Sequence, residues 1–299
     1  MAAEAGAFSY GDASNRESLW DQIKDINATS DFVTSTSETI PVTNQIHSWV
    51  SDPITVTSAQ AGVAQNTDTT YASVNPTTMF NTLQKIEKGI AVDSTSEGTD
   101  HAGFTSKFAR EKVKKMEEWK QQLEFSAVAG ALVSGTGTAG STMAGIAAFA
   151  SPLTSTLASG VSLTSAMLND WLGNAWDQGA DHDTILVPRA LKERISMFTQ
   201  NTTQQISAKE YTSVGKIDIY ISDHGQQEVI KHRYVDNVSG AVTHALITYI
   251  QDYIKVGVMD EVHYEDRAKT GMYKKGAICG AYTMEVCNNK AVSKYLLVK

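Results

Sequence analysis

The stretch GFTSKFAREKVKKMEEWKQQLEFSAVAGAL, residues 103–132, has the pattern of one long helix. Phe104, Phe108, Met116, Trp119 and Leu123 recur at steps of three, four or eight and so share a stripe. Lys107, Arg110, Glu111, Lys114, Lys115, Glu118 and Lys120 fill the remaining faces. The pairs Lys107 with Glu111, Glu111 with Lys115 and Lys114 with Glu118 stand at i,i+4, each worth roughly 0.2–0.5 kcal/mol. A helix over 104–128 is a rod of about 35 Å.

The helix runs into ALVSGTGTAGSTMAG, where Gly135, Gly137 and Gly140 read G-x-G-x-x-G. A dinucleotide loop needs a strand before it and an acid about twenty residues after it. Here a helix precedes the glycines, and the next acid is Asp170. The spacing therefore predicts a flexible joint where the helix ends, not a nucleotide site.

The N-terminal 50 residues are polar, with a short helical candidate at SLWDQIKDI. From Val50 to Glu97 the chain is dominated by Ser, Thr, Val, Ala, Asn and Gln; ITVTS and the turn-prone GVAQNTDTT predict two extended arms joined by a loop. Such a segment has too few large apolar residues to bury itself, so it is expected to lie on another surface, that of a second copy included. Trp49, Val56, Val63, Tyr71, Val74, Met79 and Phe80 are its candidate contact residues. No lysine occurs between Lys24 and Lys85.

Beyond the glycines, TSAMLNDWLGNAWDQGA predicts a helix with Met167, Leu168, Trp171, Leu172 and Ala175 inward. TILV (184–187) reads as a buried strand, and Pro188 opens a second helix, PRALKERISMFTQ. KIDIYISD alternates Ile217, Ile219 and Ile221 with polar neighbours, and EVIKHRYV follows the turn DHGQQ as a strand. The C-terminal part is strand-rich, which makes the class α+β.

Composition narrows the function. The chain has 299 residues, 41% hydrophobic and 19% charged, with a net charge of −8. That is core enough for one large or two ordinary domains, and the acidic balance disfavours a nucleic-acid-coating protein. The basic groups at 267–275 read as solvated or intersubunit charges. Cys279 and Cys287 are too far apart along one strand to pair. MAAEAGAFSY lacks the features of a secretory signal, and MAGIAAFA is too short to cross a bilayer.

Candidate chemistry is sparse. Asp181, His182 and Asp183 form a ligand-like cluster with no second cluster at metal spacing, so a turn is expected. His263 and Glu265 read H-x-E, but zinc deaminases need P-C-x-x-C downstream, and the cysteines here are eight apart. No catalytic residue, cofactor or metal is assigned.

The order of parts is informative. The phrases LWDQIKDINATSDFVTS, IHSWVSDPIT, HAGFTSKFAREKVKKMEEWKQQLEFSAV, DTILVPRALKERISMFT and DRAKTGMYKKGAICGAYTMEVCNNKAVSKYLLV together span most of the chain. The chain resembles the major capsid proteins of tailed bacteriophages with the Hong Kong 97 fold, and within them the branch from short-tailed phages with elongated heads. The closing order of AKTG, a basic stretch and YTMEVCNNKA is the most specific part. The first forty residues depart from that branch: where it tends to have a proline-containing turn, this chain has Asn27-Ala28-Thr29-Ser30-Asp31.

The resemblance implies an N-terminal arm (1–50), an extended loop (51–100), a spine helix beginning the peripheral domain (101–150), an axial domain (151–250) and closing strands of the peripheral domain (251–299). It also implies self-assembly into hexameric and pentameric capsomers around double-stranded DNA, with a portal, a separate scaffolding protein and a possible decoration protein as partners, and no membrane. Lys107, Arg110, Lys114 and Glu118 on the spine helix join the seven loop residues as assembly candidates. Little is expected to be cleaved from the N-terminus. The type member's isopeptide bond needs a loop lysine, which residues 53–84 lack, so a non-covalent shell is expected. An encapsulin-type cargo shell is the alternative, and a hydrolase with an unrecognised site a more remote one.

Overall fold

Two sheets share the apolar residues, and the long helix lies against one of them. The computed structural model describes residues 31–52, 65–66, 75–101, 103–136, 138–150, 153–158, 160–200, 219–238 and 243–298. A one-turn helix α1 (Phe32–Thr36) leads into β1 (Glu38–Pro41), followed by β2 (Ile46–Ser51), β3 (Thr77–Thr82), β4 (Gln84–Asp93), α2 (Ser94–Glu97) and the long helix α3 (Lys107–Ala129). Next come α4 (Ile146–Phe149), β5 (Thr154–Leu157), α5 (Ser165–Asp177), β6 (Thr184–Val187) and α6 (Arg189–Gln200). The chain closes with β7 (Ile219–Ser222), β8 (Gly225–Lys231), β9 (Thr243–Tyr249), β10 (Ile254–Thr270), β11 (Tyr273–Val286) and β12 (Val292–Val298).

The first sheet has four strands in the order β1-β10-β11-β4, built on the β10–β11 ribbon. Helix α3 packs across it. Trp119 is buried, donates its indole N–H to the Ile86 carbonyl at 3.1 Å and meets Tyr282 edge-on at 5.1 Å. Only glycine fits beneath that indole, since a Cβ at Gly280 would lie 2.7 Å from Trp119 Cζ2. Ser106 caps the helix by accepting from Ala109 N–H, so Phe104 precedes the helix instead of opening its stripe. The expected i,i+4 ion pairs give way to i,i+3 pairs: Lys114 with Glu111 at 3.7 Å and Lys115 with Glu118 at 2.7 Å. Both spacings bring side chains together on a helix, and Lys107 is drawn instead to Ser96 Oγ at 2.7 Å.

The second sheet has six strands in the order β5-β12-β9-β6-β8-β7. Ile185, Val187, Leu246, Tyr295 and Leu297 share a core with Leu168, Trp171 and Leu172 of α5 and Leu191 and Ile195 of α6. Leu186, Ile247, Tyr249 and Val292, from the opposite face, join the core of Val128, Met143 and Ile146. Burial on both faces explains why TILV is a continuous apolar run with no alternation.

Strand β7 turns Tyr220 inward, where its hydroxyl donates to Asn169 Oδ1 at 2.6 Å on α5, and leaves Ile219 and Ile221 exposed; it is an edge strand covered on one face. Ile217 lies outside the described residues, as does SLWDQIKDI. In the segment 251–299, β10 and β11 belong to the four-stranded sheet, and β12 pairs with β9 and β5 in the six-stranded one. The glycine stretch, expected as a flexible joint, is held at its base. It is a loop closed by the Val133–Thr142 bridge, with Gly145 N–H donating to the Gly130 carbonyl at 2.9 Å. A Cβ at Gly130 would lie 2.3 Å from Ser126 O and one at Gly145 2.7 Å from the same atom, so the two glycines let the loop's feet touch the helix end.

Candidate assembly surfaces

Strands β2 and β3 pair antiparallel in the register Ile46 with Thr82 through Ser51 with Thr77. A lone two-stranded hairpin is marginal in water. This one is fastened to the body at its base. Asn81 is fully buried and uses its whole amide: Nδ2 donates to the Ala144 and Met284 carbonyls at 3.0 and 2.7 Å, and Oδ1 accepts from Ala144 and Thr82 N–H, both at 2.8 Å. Trp49 donates to the Val286 carbonyl at 2.9 Å and leans on Phe149, while His47 Nε2 meets Glu285 Oε2 at 2.6 Å. Burial, with the Glu285 charge behind it, pushes the neighbouring Cys287 thiol up. Cys279 and Cys287 are both free thiols.

Because side chains alternate along a strand, the fastened face fixes the other. Ile46, Val50 and Phe80 point away from the body and are 60%, 64% and 48% exposed. Of the seven loop candidates, Phe80 therefore lies on the free face, while Trp49 and Met79 face inward and are half-buried. Val56, Val63, Tyr71 and Val74 lie outside the described residues. Ile46 and Val50 were missed: Trp49 beside Val50 hides the period-2 pattern in IHSWVS.

The charges chosen on α3 all find contacts within the chain. Lys107 bonds Ser96, Arg110 lies 4.8 Å from the Phe104 ring centre, and Lys114 and Glu118 form the pairs given above. None of these contacts brings them to the hairpin. Ahead of α3, Glu97 accepts from Ser106 Oγ at 2.6 Å and Phe108 N–H at 2.9 Å; these bonds, the Ser106 one first, hold its carboxyl below the usual range.

A more consequential carboxylate is Glu124, fully buried near the end of α3. Its Oε1 accepts from Val33 N–H at 2.8 Å and faces His232 Nε2 at 2.9 Å; its Oε2 accepts from Thr34 N–H at 2.9 Å. Tyr234 N–H donates to His232 Nδ1 at 3.3 Å, so the ring proton sits on Nε2 and points at Glu124. One side chain thus ties α1, α3 and the end of β8 together. The signal lay in QQLEFSAVA, where Glu124 is the one charge between Lys120 and Gly130.

Asp181, His182 and Asp183 lie in the connection between α5 and β6, just after the turn at Gln178 and Gly179. Burial lowers the pKa of His182, whose Nε2 donates to the Lys290 carbonyl at 3.2 Å while Nδ1 accepts from Thr248 Oγ1 at 2.8 Å. Asp183 accepts from Gln251 N–H and Thr184 Oγ1. No group of three potential metal ligands occurs among the described residues. His263 lies 3.2 Å from Glu265 on the exposed ribbon. No helix among the described residues is long and apolar enough to cross a membrane.

A family model described as SU10 major capsid protein matches residues 6–298. No curated protein matches the chain. Among solved structures, a chain described as "Capsid of empty GTA particle computed with C5 symmetry" is similar at TM-score 0.68 and 7% identity, covering 98% of each chain. A chain from Mycobacterium phage Bobi is similar at TM-score 0.64 and 9% identity, covering 95% of this chain and 96% of that one. One from Gordonia phage Cozz is similar at TM-score 0.63 and 13% identity, covering 100% and 97%. At such identities the likeness is one of fold.

Proposed function

The chain belongs to the SU10 major capsid protein family, and from that premise we propose how it works as the shell protein of a phage head. Copies join in hexameric and pentameric capsomers that enclose double-stranded DNA, assembling in the host cytoplasm with a portal and a separate scaffolding protein, and the phrases quoted from the sequence favour the branch with short tails and elongated heads. The arm and the hairpin loop reach neighbours, and the six-stranded sheet with α5 and α6 is the axial part. Family membership favours this reading over an encapsulin-type cargo shell and over an enzyme.

The observation that carries it is the outer face of the β2–β3 hairpin, where Ile46, Val50 and Phe80 stand exposed on an arm whose other face is fastened to the body. In a shell of many copies such a face is buried against a neighbour, with apolar area worth about 25 cal/mol per Å². The absence of lysine between Lys24 and Lys85 supports non-covalent cohesion. Negative-stain microscopy of the purified protein is expected to show shells or capsomer rings, and dispersed single subunits at high concentration would sink the shell reading. Mature heads boiled in SDS with reductant are expected to run as one band of 32.3 kDa, and a surviving ladder would overturn non-covalent cohesion.

A further inference from the structure

We infer that Glu124 is an acid-released latch on α1: its charged carboxylate keeps α1 folded against α3, and protonation lets α1 go. The helix does not cap itself. It has five residues, too few to be stable alone, and the Asp31 side chain at its N-cap position makes no cap bond. The acceptor comes from α3 instead. Glu124 Oε1 takes the Val33 N–H at 2.8 Å and Oε2 the Thr34 N–H at 2.9 Å, the second and third amides of the helix, which are the ones an N-cap side chain ordinarily serves.

The groups packed around the carboxylate leave its charge to do this alone. Helix α1, FVTST, brings two amides and no charged side chain. The end of β8 brings His232, neutral because its Nδ1 is taken by Tyr234 N–H. Burial, then the Glu124 charge, pushes the Tyr234 hydroxyl up against the pull of exposed Arg233. From β9 comes Tyr249, wholly buried, whose hydroxyl has no hydrogen-bond partner among the described residues and is kept protonated by burial and by the Glu124 charge. Asp236, in the turn at Val235–Val238 beside α3, is occupied by His244 at 3.1 Å. The three donors on Glu124 are thus neutral, and a charged acceptor makes such bonds roughly twice as strong as a neutral one.

A proton on Glu124 turns one of its oxygens from acceptor to donor. On Oε1 it competes with Val33 and His232, and on Oε2 with Thr34, so the pair of amides that opens α1 is no longer held whole. A proton on His232 has a different effect: it displaces only Tyr234 N–H and leaves the carboxylate charged with both amides in place. The latch therefore opens on the proton of Glu124 itself. Little apolar surface opposes release, since Val33 is the one buried residue of α1. Release also has a natural end, because β1 keeps its pairing with β10 and the Glu38–Lys255 bridge at 2.9 Å. The latch stands whether or not copies assemble.

The test is amide hydrogen exchange on free full-length subunits, read by mass spectrometry as protection factors so that the intrinsic pH dependence of exchange cancels. Between about pH 7 and about pH 4, protection of Phe32–Thr36 is expected to fall by about tenfold or more while β12 keeps its own. In Glu124→Gln, which takes up no proton, α1 is expected to be poorly protected already at neutral pH and to show no further fall. His232→Gln keeps a donor for Glu124 but cannot become a cation beside it, so it is expected to release α1 at a higher pH than the wild type. Wild-type protection that holds across the range, or falls only together with that of β12, overturns the latch, as does a pH response that survives in Glu124→Gln. Should Glu124→Gln not fold, the other two proteins decide, and release at a lower pH in His232→Gln than in the wild type overturns the proposal.

Discussion

The six-stranded sheet and the β2–β3 hairpin are both made of strands, yet one is finished within the chain and the other is not. Strand β6 has Ile185, Leu186 and Val187 wholly buried, between the helices α5 and α6 on one side and the core behind α3 on the other. The hairpin has one face bolted to Glu285, Val286 and Met284 and the other bare. The sheet's stability is its own. The hairpin spends its remaining apolar surface on association, so damage in the two places should be read by different measurements.

The largest effect is expected at the buried carboxylate behind the finished part. Glu124→Ala leaves the His232 Nε2–H and the Val33 and Thr34 amides without an acceptor, and a buried donor orphaned in this way costs about 1–3 kcal/mol. Urea unfolding of free subunits measures it. A loss under about 1 kcal/mol would place Glu124 with ordinary surface pairs and erase its role as the tie between α1, α3 and β8.

A smaller effect is expected on acidification. Burial depresses the pKa of His182 in the folded chain, so the unfolded chain binds more protons, and the stability that neutral His182 contributes is lost as pH falls below the ordinary histidine value. Urea midpoints taken downward from neutral pH should fall more steeply in the wild type than in His182→Gln, which keeps a donor and an acceptor but takes up no proton. Parallel slopes would remove His182 from the account.

The smallest effect on folding, and the sharpest contrast, is expected on the hairpin's free face. Phe80→Ser should shift subunit stability by no more than about 0.5 kcal/mol, as at other exposed sites. Assembly, followed by light scattering, should nevertheless slow or fail. A large fall in stability would mean that Phe80 packs within its own chain and that the comparison between finished and unfinished parts has been drawn in the wrong place.

Much of this was legible in the sequence because it was local. The stripe of α3, the inward set of α5, the run TILV and the proline ahead of α6 each follow from period or propensity within a dozen residues. What was not legible depended on partners far away in the chain. KIDIYISD shows that Ile219 and Ile221 share a face, but not that α5 covers the other one. Trp49 and Phe80 are both large and apolar on adjacent strands, and only the register with Thr82 through Thr77, fixed by fastening at Val286, sends one inward and the other out. Glu124 looked like one more helix charge because Val33 and His232, which give it meaning, lie 91 and 108 residues away.

The glycine loop has a use of its own. Its feet are pinned where Gly130 and Gly145 touch, and Ser141, Thr142, Met143 and Ala144 are bonded to β3, β4 and their neighbours. Its outer part is exposed, and a Cβ at Gly140 would meet nothing within 4 Å. Lengthening a loop whose ends are already fixed costs only about 0.6 kcal/mol per doubling. A foreign peptide spliced between Thr138 and Gly140 would therefore hang from a rigid bracket and leave the sheets beneath it undisturbed.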